Sequence, residues 1–342
     1  MKTGIDSPAG RLDTIPSSLT GGMLRYFTPE PLSELLERCK VFAAEIAPVE
    51  VVSADGLPLL ISGALSLRGR RLDQRQSALL VEIALGNTPV KSLPDLLSLG
   101  RRLGVLVPEI RQEMVFADAP IPSLASIIFA HHEAVPSLME SLVAGMSRAE
   151  EEIHPYLVAI VAGFFGVHLH PFLDGNGRWS RVVAAATGIN SHAFRESYVG
   201  ALYMSACKDE LVRKVWVRAR TSGIREYVER GLCFRKFFLE EVAECLVGDT
   251  ERVFSTVSKF SKTRSCRHEL LTALYSKGGM NADSIRMACN VSRKVADGRI
   301  LELQGLAESY RSESSGAFIR PPWQALLRAS DRARSVAMMD VN

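Results

Sequence analysis

Twelve consecutive residues, His170-Pro171-Phe172-Leu173-Asp174-Gly175-Asn176-Gly177-Arg178-Trp179-Ser180-Arg181, hold the chemistry of this chain. They supply an imidazole, a carboxylate, a glycine-rich turn and two guanidiniums. Pro171 pushes the residue before it out of the α region, so His170 sits at a helix end beside a loop. An imidazole there can take a proton from a hydroxyl near neutral pH. Phe172 reads as a packing anchor for the loop. Asp174 offers hard oxygens of the kind that share Mg²⁺ with phosphates. Gly175, Asn176 and Gly177 can turn successive N–H groups inward, and such a nest at a helix N-terminus binds anions. Arg178 and Arg181 are three apart and share one helix face, where two guanidinium forks can neutralise a polyphosphate. Together these residues can hold a nucleoside triphosphate beside a hydroxyl.

Each piece alone has a structural explanation, as a helix stop, a tight turn or a solvated arginine. The combination in this order does not. Other polar groups read as structural. His131-His132-Glu133 and the His168/His170 pair lack a set of four zinc ligands at a known spacing. His154-Pro155 reads as a helix start. Lys208 and the basic cluster at 213–220 read as a solvated face.

The elements that must position the motif follow from hydrophobic periodicity. Residues 1–23 read as a loose, strand-poor arm. Helices are predicted over 31–47, 71–86 and 92–102. Val115-Phe116 and Ile127-Ile128-Phe129 are β-prone pieces forming two short strands or a hairpin. Helices are then predicted over 135–144, over 153–168 leading into the motif, and over 179–188 after it. Helical pattern continues to about 262. Residues 266–320 give three helices and a polar hairpin, with Asn290-Val291 as a tight turn and Ser292 as an N-cap. That is the pattern of a winged helix-turn-helix.

At 342 residues, two or three domains are expected. A hydrophobic share of 47% allows a sizeable core. A net charge of +3 is too small to imply nucleic acid by itself. Six scattered cysteines with no CxxC pair are expected to be reduced in a cytoplasmic protein. The N-terminus lacks the apolar core of a secretory signal. The most apolar run, 157–167, falls short of the ~20 residues a membrane span needs, so no membrane partner is expected.

Residues 170–181 resemble the signature of Fic-domain proteins, His-Pro-Phe-x-Asp/Glu-Gly-Asn-Gly-Arg-x-x-Arg, with every fixed position present. Upstream, Ile110-Arg111, Val115, 127–129 and 135–139 are similar to the β-hairpin flap and following helix of that fold. The resemblance implies an all-α fold: a Fic-like helical core with a small flap, plus a C-terminal winged helix. Expected domains are a helical region over 1–105, the catalytic core over 106–247 and the winged helix over 248–342.

The implied activity is transfer of AMP from ATP to a Ser, Thr or Tyr hydroxyl of a protein, with ATP and Mg²⁺ required. His170 would be the general base and Asp174 the metal ligand. Gly175, Asn176, Gly177, Arg178 and Arg181 would bind the nucleotide phosphates. Ser126, Ile127, Ile128 and Phe129 would dock the target segment by strand addition. Removal of AMP, or transfer of another phosphate-containing group, are alternatives on the same fold. A DNA-binding regulator with a nucleotide-sensing core is a further one. In that case Arg293, Lys294 and Arg299 would contact DNA, unless the module docks to partners or to another copy of the chain. A homodimer fits the architecture.

Two departures from the family stand out. The inhibitory helix of many Fic proteins reads Ser/Thr-x-x-x-Glu-Gly/Asn. The equivalent segment near 75–87 has Val81 and Leu85 at the hydroxyl and glutamate positions, so this route of restraint is expected to be lost or altered. Gly163 and Gly166 stand where a histidine and a phenylalanine are usual, predicting a looser helix or a closer neighbour.

Overall fold

The structure is a computed structural model in which residues 4–16, 22–46, 56–67, 74–86, 90–104, 109–117, 127–188, 194–205, 210–240, 244–276, 279–304, 308–312, 316–320 and 323–341 are described. In chain order, strands β1 (Gly10–Pro16) and β2 (Met23–Pro29) precede helices α1 (Leu32–Cys39), α2 (Gly56–Leu67), α3 (Gln74–Ala84) and α4 (Leu93–Arg102). Short strands β3 (Phe116–Ala117) and β4 (Ile127–Ile128) follow. Next come α5 (Val135–Glu152), α6 (Pro155–Leu169), α7 (Asn176–Ala186), α8 (Phe194–Met204), α9 (Glu210–Ser222) and α10 (Arg225–Phe238). The chain continues through α11 (Glu244–Phe260), α12 (Arg264–Ser276), β5 (Met280–Asn281), α13 (Ala282–Cys289), α14 (Arg293–Gln304), β6 (Glu308–Ser312), β7 (Gly316–Arg320) and α15 (Trp323–Ala337). The chain is mostly helical, as its sequence predicts. Among the described residues, no helix is long and apolar enough to cross a membrane.

Contacts group the chain into two compact units. The first comprises 1–47, 90–233 and 337–342, and the second 48–89 and 234–336. The boundaries expected at 105 and 247 follow the chain, whereas these units are discontinuous in it.

The first unit is built around α6. Thirteen of its fifteen residues are buried, so it has no polar face and must be surrounded. His154 Nδ1 accepts the Tyr156 amide at 3.2 Å, and Pro155 starts the helix where a missing N–H costs nothing. Helices α1, α5, α7 and α8 pack on it. The approach is close. A Cβ on Gly200 of α8 would lie 2.7 Å from Ala159 Cβ, and one on Gly163 would lie 2.9 Å from Met204 Sδ. Of the two outcomes foreseen for Gly163 and Gly166, the closer neighbour is the one realised.

Within the loose arm expected over 1–23, residues 10–16 instead form a paired strand. Strands β1 and β2 pair antiparallel in register from Gly10↔Pro29 to Pro16↔Met23. No residue of β1 is buried, so it carries no apolar alternation to read in the sequence.

The second unit has its own core, which includes Leu59, Val81, Val257, Leu270, Leu274, Tyr275, Ile285 and Ile300. Helix α3 carries Val81 into that core, and Ser77 Oγ donates to the Tyr275 carbonyl at 3.1 Å. Asn281 caps α13, Asn290 ends it at φ 50, and Ser292 Oγ accepts the Val295 amide at 3.4 Å. The three strands pair in the order β5-β7-β6. Cys266 and Cys289 form a disulfide with a Cα–Cα separation of 5.2 Å, which corrects, for these two, the expectation that the cysteines are reduced. They are 23 residues apart across a strand and two helices, a spacing that signals nothing in sequence. Helices α2 and α15 are not anticipated either. The first is apolar on nearly every side, so it lacks the two-faced pattern that marks a surface helix.

Candidate active site

The motif forms a loop between α6 and α7. Helix α6 ends with His170 in the left-handed region, at φ 49 and ψ 61, a conformation that disfavours a side chain. Its amide still bonds the Gly166 carbonyl at 3.2 Å. The Phe172 ring is buried edge-on against Trp179, with centroids 5.6 Å apart. Asn176 spends its side chain on the loop itself: Oδ1 accepts the Phe172 amide at 2.9 Å and Nδ2 donates to the Phe172 carbonyl at 2.8 Å. Trp179 Nε1 donates to the Leu96 carbonyl at 3.0 Å and fixes α7 to α4.

Gly175 caps α7 at φ 77, a left-handed turn that suits glycine, and no side chain caps the helix. The opening amides of an α-helix, here from Asn176 onward, have no partner within the helix, and the dipole adds partial positive charge. A helix start of this kind can bind an anion, and the two arginines stand beside it. Arg178 Nη2 lies 3.3 Å from Asp174 Oδ2, an exposed pair that an incoming phosphate can rearrange. A Cβ on Gly177 would lie 3.7 Å from Arg181 Nη1, so that guanidinium stands beside the helix start. Asp174 is 65% exposed. One exposed carboxylate at a phosphate site fits Mg²⁺ shared with substrate oxygens. It does not fit a metal caged by protein alone, and among the described residues no group of three or more His, Cys, Asp or Glu could hold one.

His170 is half-buried. Its Nδ1 lies 3.0 Å from the Val167 carbonyl, which can only accept, so Nδ1 carries the hydrogen and Nε2 keeps its lone pair. Its ring stacks on Phe129, with centroids 3.6 Å apart and planes at 13°. Burial, assisted by the positive charge of Arg111, pushes its pKa down to about 4 against the opposing pull of the Val167 carbonyl and Asp174. The imidazole is therefore neutral at physiological pH.

Strands β3 and β4 pair at Phe116↔Ile128 and Ala117↔Ile127. Of the four expected docking residues, Ser126 lies outside the described residues and Ile127 is described in backbone only. Ile128 and Phe129 are buried. The Phe129 amide donates to the Val115 carbonyl at 3.1 Å, and the Ile128 carbonyl accepts from Arg220 Nη2 at 3.3 Å. The first bond joins the two sides of this strand pair, the second ties it to α9, and the Phe129 ring alone reaches His170.

Arg220 is not on a solvated face, as the cluster at 213–220 is read from sequence. It is buried, lies 4.9 Å from the Phe27 ring centroid, and burial pushes its pKa down to about 10. His168 is also buried, stacked on Trp216 at 4.2 Å with Nδ1 on the Phe164 carbonyl at 2.9 Å. Burial, then the charge of Arg220, holds its pKa well below the usual histidine value. It is a core histidine. Arg111, which the sequence marks only as part of the segment similar to the flap, has a role that sequence reasoning does not give. It is 2% exposed, and its guanidinium reaches the carbonyls of His170, Glu113 and Ala130.

In the second unit, the cations considered for DNA are largely engaged. Arg293 pairs with Asp283 at 2.7 Å and Asp297 at 3.0 Å, and Arg299 lies 5.0 Å from the Phe260 ring centroid. Lys294 is exposed.

No curated protein matches the chain. Residues 92–187 match the model of the Fic/DOC family, so the stretch from α4 to the end of α7, which builds this site, is similar to a Fic domain.

Proposed function

We propose that this chain is a protein adenylyltransferase. The observation that carries this reading is a neutral imidazole, with Nδ1 bonded and Nε2 able to accept, on the loop that opens into an uncapped, arginine-flanked helix start. ATP binds with its phosphates on the amides of Asn176 and Gly177 and beside Arg178 and Arg181. A Ser, Thr or Tyr hydroxyl of the target gives its proton to His170 Nε2 as its oxygen attacks the α-phosphorus. The bond from that phosphorus to pyrophosphate breaks, and AMP remains on the target oxygen. The two guanidiniums and the helix start stabilise charge on the departing pyrophosphate. Asp174 would hold Mg²⁺, which would neutralise part of the triphosphate charge.

Helices α12, α13 and α14 followed by the β6–β7 hairpin support a winged helix-turn-helix reading of residues 264–320. Arg293 is paired with Asp283 and Asp297, and Lys294 is the exposed cation among the three residues considered for DNA.

The test is intact mass spectrometry of the full chain after incubation with ATP and Mg²⁺, alone and with cell extract supplied with an alkyne-tagged ATP. AMP-mass adducts or labelled bands, both lost in His170→Ala, support the reading. Wild type that binds ATP yet modifies neither itself nor any extract protein overturns it. Assays of AMP release from modified protein would then follow.

A further inference from the structure

His170 holds the left-handed backbone that ends α6, which a side chain disfavours, and a residue outside the loop braces it. Arg111 does so from several sides. Its Nε donates to the His170 carbonyl at 2.7 Å, and its own amide donates to the Pro171 carbonyl at 2.9 Å. Nη2 donates to the carbonyl of Ala130, next to Phe129, and Nη1 donates to the Glu113 carbonyl at 2.6 Å. One guanidinium therefore bridges the motif loop, the approach to β3 and the end of β4. It ties down both residues of the His170–Phe129 stack, one directly and one through its neighbour. No other side chain type offers donors in a planar fork of this reach, and lysine has a single ammonium.

We propose that Arg111 is a positioning residue, which clamps the motif loop to the flap so that the His170 imidazole stays stacked on Phe129 with Nε2 as its proton acceptor. Its effect on rate rests on the transferase reading above; its effect on the ring does not. The charged and titratable groups acting on His170 are Arg111, Asp174 and the neighbouring His168.

The test uses the full chain with histidine-selective labelling, comparing wild type with Arg111→Met, Arg111→Lys and Phe129→Leu by NMR, and His170→Asn to assign the signal. In wild type the His170 ring protons are shielded by the Phe129 ring. Arg111→Met and Phe129→Leu should both move them toward the position of an exposed histidine, with Arg111→Lys intermediate. The kcat for transfer should fall roughly 10–100-fold, as for a small misplacement of a reacting group, with little change in KM for ATP. The acidic limb of the rate profile in Arg111→Met should move up in pH. If Arg111→Met fails to fold, Arg111→Lys and Phe129→Leu decide the matter. Wild-type ring shifts and tautomer in a folded Arg111 variant, with only a lowered Tm, would overturn the proposal. If wild type transfers nothing, the transferase reading fails while the ring shifts still decide the clamp.

Discussion

His170 joins an unfavoured backbone to an unusually low pKa, and both have readable consequences. A histidine at its ordinary value would lose half its basic form near pH 6.5. This one keeps it down to about 4. The transfer rate should therefore be flat with respect to this group from neutral pH to about 5 and fall near 4, as a pH–kcat profile would show; a midpoint near 6.5 would contradict it. Stability carries the same signature with a fixed sign. Between 6.5 and about 4 the unfolded chain binds a proton that the folded site refuses. Urea resistance should drop as pH falls through that window and level off below it. His168, also held neutral by burial, adds in the same direction. His170→Asn should flatten part of the slope. At this scale the motif is legible in sequence because its chemistry is contiguous. The role of Arg111 is not, because its guanidinium's partners are backbone carbonyls up to 59 residues away, and a carbonyl looks the same under every residue type.

Among elements, the helices around the motif were readable and the pieces beside them less so. Ser92, Pro155 and Ser292 announce helix starts through their side chains, and Asn290 announces an end. Helix α7 begins earlier than the periodicity indicates, since its first turn is the glycine-rich end of the motif, with Asn176 buried there for hydrogen bonding. Two glycine substitutions separate local preference from packing. Gly298 of α14 faces open space, so Gly298→Ala should stabilise by about 0.5–1 kcal/mol through helix propensity. Gly200 meets the rigid Ala159 Cβ, so Gly200→Ala should destabilise by about 1–3 kcal/mol through overpacking. Urea titration of both variants checks the pair, and equal signs would refute the close α6–α8 approach.

Across the molecule, stretches far apart in sequence are brought together, and this is where periodicity gives least guidance. Residues 48–89 and 234–336 cluster as one unit, although 144 residues fall between them by the numbering of its two stretches. The Cys266–Cys289 bond closes a loop of 23 residues in that unit. By chain entropy its removal should lower stability by roughly 3 kcal/mol. Denaturant titration of Cys266→Ser, with thiol counting before and after reduction, tests this; no gain in thiols on reduction would exclude the bond.

The helix that delivers His170 is enclosed on almost every side. Genetic variation will register that enclosure. In α6, a substitution that disturbs the proposed base also disturbs the core, so alleles that remove the proposed activity there will be depleted from the protein pool. On the transferase reading, catalysis can be silenced at the exposed Asp174 or the partly exposed Arg178 while abundance is kept. A lineage could therefore discard its chemistry at those positions, keep the scaffold, and put the same fold to other uses.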